Sequence, residues 1–90
     1  MTLDNNDLVD GQEAARLLRA SIHTVRDYKK LGLIRIAGKE GNKDLYSKAD
    51  VLRRRSIIDR KRVEGYTLSQ ISSLIQEELS KEEQVGNPNT

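Results

Sequence analysis

The chain has 90 residues, 36% hydrophobic and 33% charged, with no Phe, Trp or Cys, so one small domain with an aliphatic core is expected. The missing Cys excludes disulfides, thiolate metal sites and cysteine nucleophiles, and the single His23 cannot make a zinc site alone. The formal charge of +2 hides an asymmetry: residues 16–62 carry fifteen Lys/Arg against five acids, while residues 1–15 and 63–90 are both acidic on balance. A basic centre with acidic ends is the pattern that attracts phosphate, although charge runs also serve plain solvation.

In chain order, residues 1–7 read as a flexible N-terminus and the domain as residues 8–79. Three capping boxes punctuate it: Asp10 with Glu13, Ser47 with Asp50, and Thr67 with Gln70. The first helix is expected from Gly11 to Leu18, with Ala14, Ala15, Leu17 and Leu18 as its apolar side. Arg19 and Ala20 break the pattern, and Ser21 caps a second helix from Ile22 to Leu31, with Val25 and Leu31 facing in. Gly32 supplies the left-handed C-terminal position. Two short helices joined this tightly read as a helix-turn-helix.

Leu33-Ile34-Arg35-Ile36 is a short β-prone run, residues 37–42 are turn-rich, and Lys43-Asp44-Leu45-Tyr46 can return as a second strand, which makes a candidate wing. Ser47 opens a third helix to Val63, with Val51, Leu52, Ile57 and Ile58 as its apolar members; Gly65 ends it. Thr67 opens a fourth, in which Leu68, Ile71, Leu74, Ile75 and Leu79 recur at helical spacing. The first four close the core, and Leu79 can instead stand out as a contact for a partner helix. The polar tail, residues 80–90, reads as disordered. The fold class is therefore mainly α: a winged helix-turn-helix of four helices with a small β-hairpin wing.

The stretch from Ser21 to Lys30 is the most informative for function. With Val25 and Leu31 turned inward, His23, Thr24, Arg26, Asp27 and Lys30 are left at or near the exposed side. Ser21 and the first helical amides form an N-terminus suited to a phosphate oxygen. Arg26 can grip guanine through two hydrogen bonds. The same spacing also fits a merely solvated amphipathic helix.

The run from Leu8 to Leu79 resembles the DNA-binding module of the MerR family of transcription regulators. The resemblance is carried by Ala15-Arg16-Leu17-Leu18, Ser21, Thr24-Val25-Arg26, Tyr28 and Leu31-Gly32-Leu33-Ile34, then by Leu45-Tyr46-Ser47, Asp50-Val51 and Gly65-Tyr66-Thr67-Leu68-Ser69-Gln70-Ile71. It implies that the second helix enters the major groove, with Arg26 and Tyr28 as groove or backbone contacts. It also implies that the wing and the corner between the third and fourth helices grip flanking phosphates, with Arg62 at a phosphate-contacting position. Four departures stand out. Arg19 occupies a turn position usually held by Gly, where it can add a phosphate contact or cost some strain. Asp27 replaces an aromatic. Lys43-Asp44 replaces a Tyr-Arg pair, so an arginine contact to DNA is missing. The chain ends about ten residues past the fourth helix, where the family continues into a dimerisation helix and an effector domain.

The residues expected on DNA are Arg16, Arg19, Ser21, His23, Thr24, Arg26, Tyr28, Lys29, Lys30, Arg35, Lys39, Lys43 and Arg62. Asp44 either repels phosphate or is neutralised by Arg35 or Lys43. Arg53-Arg54-Arg55 and Arg60-Lys61-Arg62 cannot all face one way, so about half are expected to be plain solvation, Arg54 among them. Tyr46 and Tyr66 read as core-edge residues. With three Tyr as the only aromatics, a stacking surface for single strands is poorly supported.

No enzyme constellation is visible: Gly38-Lys39-Glu40-Gly41 is too short for a phosphate-cradling loop, and one His without Ser or Cys partners is no triad. No cofactor is expected. No apolar run approaches the ~18 residues of a membrane span, and the N-terminus is acidic, unlike a signal peptide. The sequence thus points to a cytoplasmic, nucleoid-associated protein that binds double-stranded DNA sequence-specifically and regulates transcription without an effector domain, monomeric until a second copy joins it on DNA. The alternatives are an excisionase-like or architectural DNA-binding factor and, in a different class, a protein-interaction adaptor using its basic face on an acidic partner.

Overall fold

The computed structural model describes residues 7–85, with side-chain surroundings for residues 7–81. The remaining residues of the N-terminus read as flexible, 1–6, and of the tail read as disordered, 86–90, lie outside the described residues. The elements run β1 (Leu8–Val9), α1 (Gly11–Leu18), α2 (Ile22–Leu31), β2 (Gly38–Glu40), β3 (Lys43–Ser47), α3 (Lys48–Val63) and α4 (Leu68–Val85).

The helix starts follow the caps. The Glu13 amide donates to Asp10 Oδ1 at 2.9 Å, the Thr24 amide to Ser21 Oγ at 3.3 Å, and the Asp50 amide to Ser47 Oγ at 3.2 Å. Only at Thr67 is the box reciprocal among the described bonds: the Gln70 amide donates to Thr67 Oγ1, and the Thr67 amide donates to Gln70 Oε1. Glu13 turns to Arg16 instead, and Asp50 to Arg54. Helix α4 passes the expected end at Leu79 and continues to Val85, so the first part of the tail read as disordered is helical.

The sheet differs from the expected hairpin. Residues 33–36 form no strand, because their first amides already cap α2: those of Leu33 and Ile34 both donate to the Tyr28 carbonyl, at 2.8 and 3.5 Å. Pairing begins only at Ala37, whose amide donates to the Leu45 carbonyl at 2.7 Å. Strand β2 then pairs antiparallel with β3, Lys39 opposite Asp44, and Gly41 at φ 63° makes the turn. Strand β1, which the sequence did not reveal, adds to the other edge of β3, placing Val9 opposite Tyr46, and the order is β1-β3-β2.

Two aliphatic clusters form the core. Ala14, Ala15, Val25, Ile34, Tyr46 and Val51 gather under the helix-turn-helix and sheet, and Leu33, Ile57, Ile58, Ile71, Ile75 and Leu79 between α3 and α4. Adjacent residues Leu33 and Ile34 enter different clusters, and Tyr28 packs against both. Full burial of each large aliphatic side chain contributes roughly 1.5–3 kcal/mol, which fixes α3 and α4 as the platform for the rest. Leu79 is 5% exposed and belongs to this core, so it is no partner-helix contact. Leu52 is exposed, and the inward position it was expected to share is held by Arg54 at 0% exposure. Tyr46 is buried, while Tyr66 is 39% exposed beneath the Lys61 ammonium, 5.2 Å above its ring.

Candidate nucleic-acid interface

Helix α2 hangs on its buried Val25, which leaves His23, Arg26, Asp27 and Lys30 exposed and Thr24 half-buried. The turn before it is closed by Arg19 in the left-handed region, φ 55° and ψ 47°, with its amide bonded to the α1 carbonyls of Ala15 and Arg16. Arg19 is the one non-glycine residue with positive φ among the described residues. Its side chain is exposed next to the start of α2. Ser21 Oγ accepts from the Thr24 amide and lies 3.4 Å from the Thr24 hydroxyl. Arg16 is exposed and paired with Glu13 at 2.7 Å. Tyr28 is half-buried, and its ring is part of the packing between both clusters.

The wing is tied to α2 through Asp44. Its Oδ2 accepts from Lys29 Nζ at 2.8 Å, and Lys39 Nζ lies 3.2 Å from Oδ1. The hydrogen bond from Lys29, then that from Lys39, hold the Asp44 carboxyl below its ordinary range, and the bond to Asp44 raises the Lys29 ammonium above its own. Neutralisation thus comes from Lys29 and Lys39, not from Arg35 or Lys43 as expected. The reason is register: Lys39 stands directly across the β2–β3 ladder, and Lys29 reaches over from α2. Burial raises the nearby Tyr46 hydroxyl above its ordinary pKa.

An open cleft of about 400 Å³ lies between the start of α1, the flank of α2 and β3. Arg26, Lys29 and Lys43 line it, together with Asp10, Gln12 and Asp44. Three of the expected cationic residues therefore share one recess. Lys30, Arg35 and Lys39 are exposed outside its lining, and exposed Arg62 stands in the last turn of α3. Among the described residues there is no group of three His, Cys, Asp or Glu placed to hold a metal, and no helix long and apolar enough to cross a membrane.

The sequence profile of MerR HTH family regulatory proteins matches residues 11–78, from the start of α1 to within one residue of the last core leucine. The chain belongs to the MerR helix-turn-helix family. No curated protein and no solved structure matches it. MerR-family proteins are DNA-binding transcription regulators rather than an enzyme family, in keeping with the four helices and small three-stranded sheet.

Two features of this MerR domain escaped the sequence reading. Gln12 lines the cleft, a position that only the α1–β3 approach defines. The arginines of α3 divide by direction. Arg54 is buried: its Nε donates to Asp50 at 3.0 Å, and its Nη1 lies 3.3 Å from the Leu33 carbonyl and 3.5 Å from that of Gly32. Burial pulls its pKa below the ordinary value while Asp50 opposes the fall. Arg55 Nη1 donates to the Leu17 carbonyl at the end of α1, 3.3 Å away. The expectation that Arg54 is solvated is thereby corrected. Its spacing carried the signal, since position 54 follows Val51 by three and precedes Ile57 and Ile58 by three and four. Arg60 and Lys61 turn to Glu78 on α4, at 3.0 and 3.4 Å.

Proposed function

We propose that this domain binds double-stranded DNA sequence-specifically, with α2 in the major groove and the β2–β3 wing on the flanking backbone. The observation that supports it most is the gathering of Arg26, Lys29 and Lys43 in one cleft between α2 and β3, with His23 and Lys30 exposed on the same helix. In this reading Arg26, His23 and Thr24 meet base edges. Arg16, Arg19, Ser21, Tyr28, Lys29, Lys30, Arg35, Lys39, Lys43 and Arg62 hold the sugar–phosphate backbone, which positions the protein without reading sequence. The Ser21 hydroxyl already accepts the Thr24 amide, so it serves phosphate as a donor. Regulation of transcription from the cytoplasm or nucleoid follows as the biological role, with a second copy joining on adjacent half-sites.

The test is selection of bound duplexes from a random library, followed by titration at several salt concentrations. Log affinity should fall linearly with log salt, by about 0.9 per phosphate contacted. Arg26→Ala should cost roughly 1–3 kcal/mol on the selected duplex. A flat salt response, or no duplex retained at low salt, refutes the proposal and favours a protein-interaction module. Cooperative binding to direct repeats with bending would place the domain among architectural factors.

A further inference from the structure

Helix α2 ends in an unusual convergence of side chains from the other half of the molecule. The last carbonyls of a helix have no partner within it. Here Leu31 O accepts from the Ser72 hydroxyl of α4, and Leu33 O and Gly32 O face the Arg54 Nη1 of α3, at 3.3 and 3.5 Å. A cation and a hydroxyl thus occupy the negative end of the helix dipole. We propose that Arg54, assisted by Ser72, is a positioning residue: it fixes the C-terminal end of α2 on the α3–α4 platform and so sets the sequence selectivity of DNA binding. This rests on the DNA-binding reading above.

Stability alone gives a weak account of Arg54. Its side chain is 0% exposed, its counter-ion Asp50 is a single carboxylate, and its Nη2 is buried without a hydrogen-bond partner among the described residues. Desolvating a guanidinium and leaving one nitrogen unpaired offsets most of what the ion pair contributes, and replacing both members of such a pair by apolar side chains of similar volume is often as good or better for folding. Val51, Ile57 and Ile58, at helical spacing from it on α3, and Leu33, whose carbonyl it meets, are all buried aliphatic residues. What an apolar side chain cannot do is hold two carbonyls in place.

The lever arm makes this matter for DNA. Ten helical residues span about 15 Å, so a pivot of roughly 5° about one end moves a side chain at the other by about 1 Å. His23 and Arg26 lie in the first half of α2, far from the clamp. A bidentate contact to a base edge does not survive a shift of that size, whereas a lysine reaching for phosphate does. Loss of the clamp should therefore strike base reading and spare backbone binding.

The experiment compares wild type, the double variant Asp50→Leu with Arg54→Met, and Ser72→Ala on two probes: the duplex selected from a random library by the wild type, and random duplex of equal length. The double variant, which leaves no unpaired charge behind, should melt near the wild-type temperature, yet its ratio of selected to random affinity should fall by about tenfold, the size of one lost base contact. Its affinity for random duplex and its salt slope should stay unchanged. Ser72→Ala should lower the ratio in the same direction, by less. An unchanged ratio in both variants overturns the proposal. So does the double variant unfolding, melting markedly lower, or losing both affinities in parallel, since each makes Arg54 a support of the fold. If the wild type itself selects no duplex, the DNA-binding reading fails and takes this one with it, an outcome visible before any variant is measured.

Discussion

Replacing Arg19 by Gly separates backbone strain from charge at the turn of the helix-turn-helix. Arg19 sits at φ 55° and ψ 47°, where its Cβ crowds the following carbonyl. That conformation costs an L-residue roughly 1–2 kcal/mol, which glycine avoids. Glycine also has more freedom to lose from the unfolded chain, an opposing effect of about 0.4–1 kcal/mol. The bonds from the Arg19 amide to Ala15 and Arg16 are backbone and survive the change. The net expectation for Arg19→Gly is a gain of about 0.5–1 kcal/mol, or roughly 2–8 °C in melting temperature for a domain of this size. Arg19→Ala keeps the Cβ and removes the same charge, so it should show no such gain. Both should bind duplex DNA more weakly, and to the same extent, if Arg19 contacts phosphate. Thermal melts by circular dichroism and titrations at fixed salt measure the two effects. Equal melting temperatures for the Gly and Ala variants would refute the strain argument; unchanged affinity in both would remove Arg19 from the interface.

Asp44→Asn should release Lys29 and Lys39 toward phosphate, tightening binding to selected and random duplex alike and steepening the log–log salt slope by about one to two units; an unchanged slope would mean that neither lysine meets DNA. Acid titration follows the carboxylates. Asp44 is depressed by its hydrogen bond from Lys29, and Glu78 is depressed because the charges of Lys61, Lys81 and Arg60 outweigh the opposing effect of its desolvation. A depressed carboxylate contributes stability above its unfolded value, so melting temperature should hold from neutral pH to near the ordinary values of 3.8 and 4.5 and decline as pH falls further. Asp44→Asn should make that decline shallower, and an identical curve would dismiss the ion pair as a source of stability. Ile71→Ala, at a fully buried position facing α3, should cost about 2–5 kcal/mol by denaturant titration, enough to threaten a domain with roughly 5–15 kcal/mol in total; a loss under 1 kcal/mol would contradict the packing described between α3 and α4.

The arrangement of charge gives the molecule two differently organised sides. At the α3–α4 corner, Arg60, Lys61 and Lys81 surround Glu78, so cations there are drawn into holding two helices together. Around α2 and the wing, Asp44 draws in Lys29 and Lys39, while Arg26 and Lys43 complete the cleft. The basic excess of residues 16–62 thus divides between a structural share, with Arg54, Arg55, Arg60 and Lys61 bonded to helix ends or to Glu78, and a share left on the surface.

What the sequence determined by itself was everything governed by neighbours along the chain. Caps at Asp10, Ser21, Ser47 and Thr67 set where helices begin because a side-chain oxygen reaches an amide three residues on, and Gly32 ends α2 because its left-handed backbone is local. The family resemblance and two of the three strands' general neighbourhood came from the same short-range patterns. Tertiary structure decided what depends on residues distant in sequence. The run at 33–36 has β propensity, but the Leu33 and Ile34 amides go to Tyr28 and the side chains enter two separate clusters, so no strand forms there. Strand β1 exists only because β3 offers it an edge. Asp44 finds its partners across the ladder and on α2, and Arg54 finds its own in the carbonyls that end α2. Charge is written in the sequence, but the direction in which a charged side chain is used is fixed by which backbone ends and counter-charges the fold brings within about 3 Å of it.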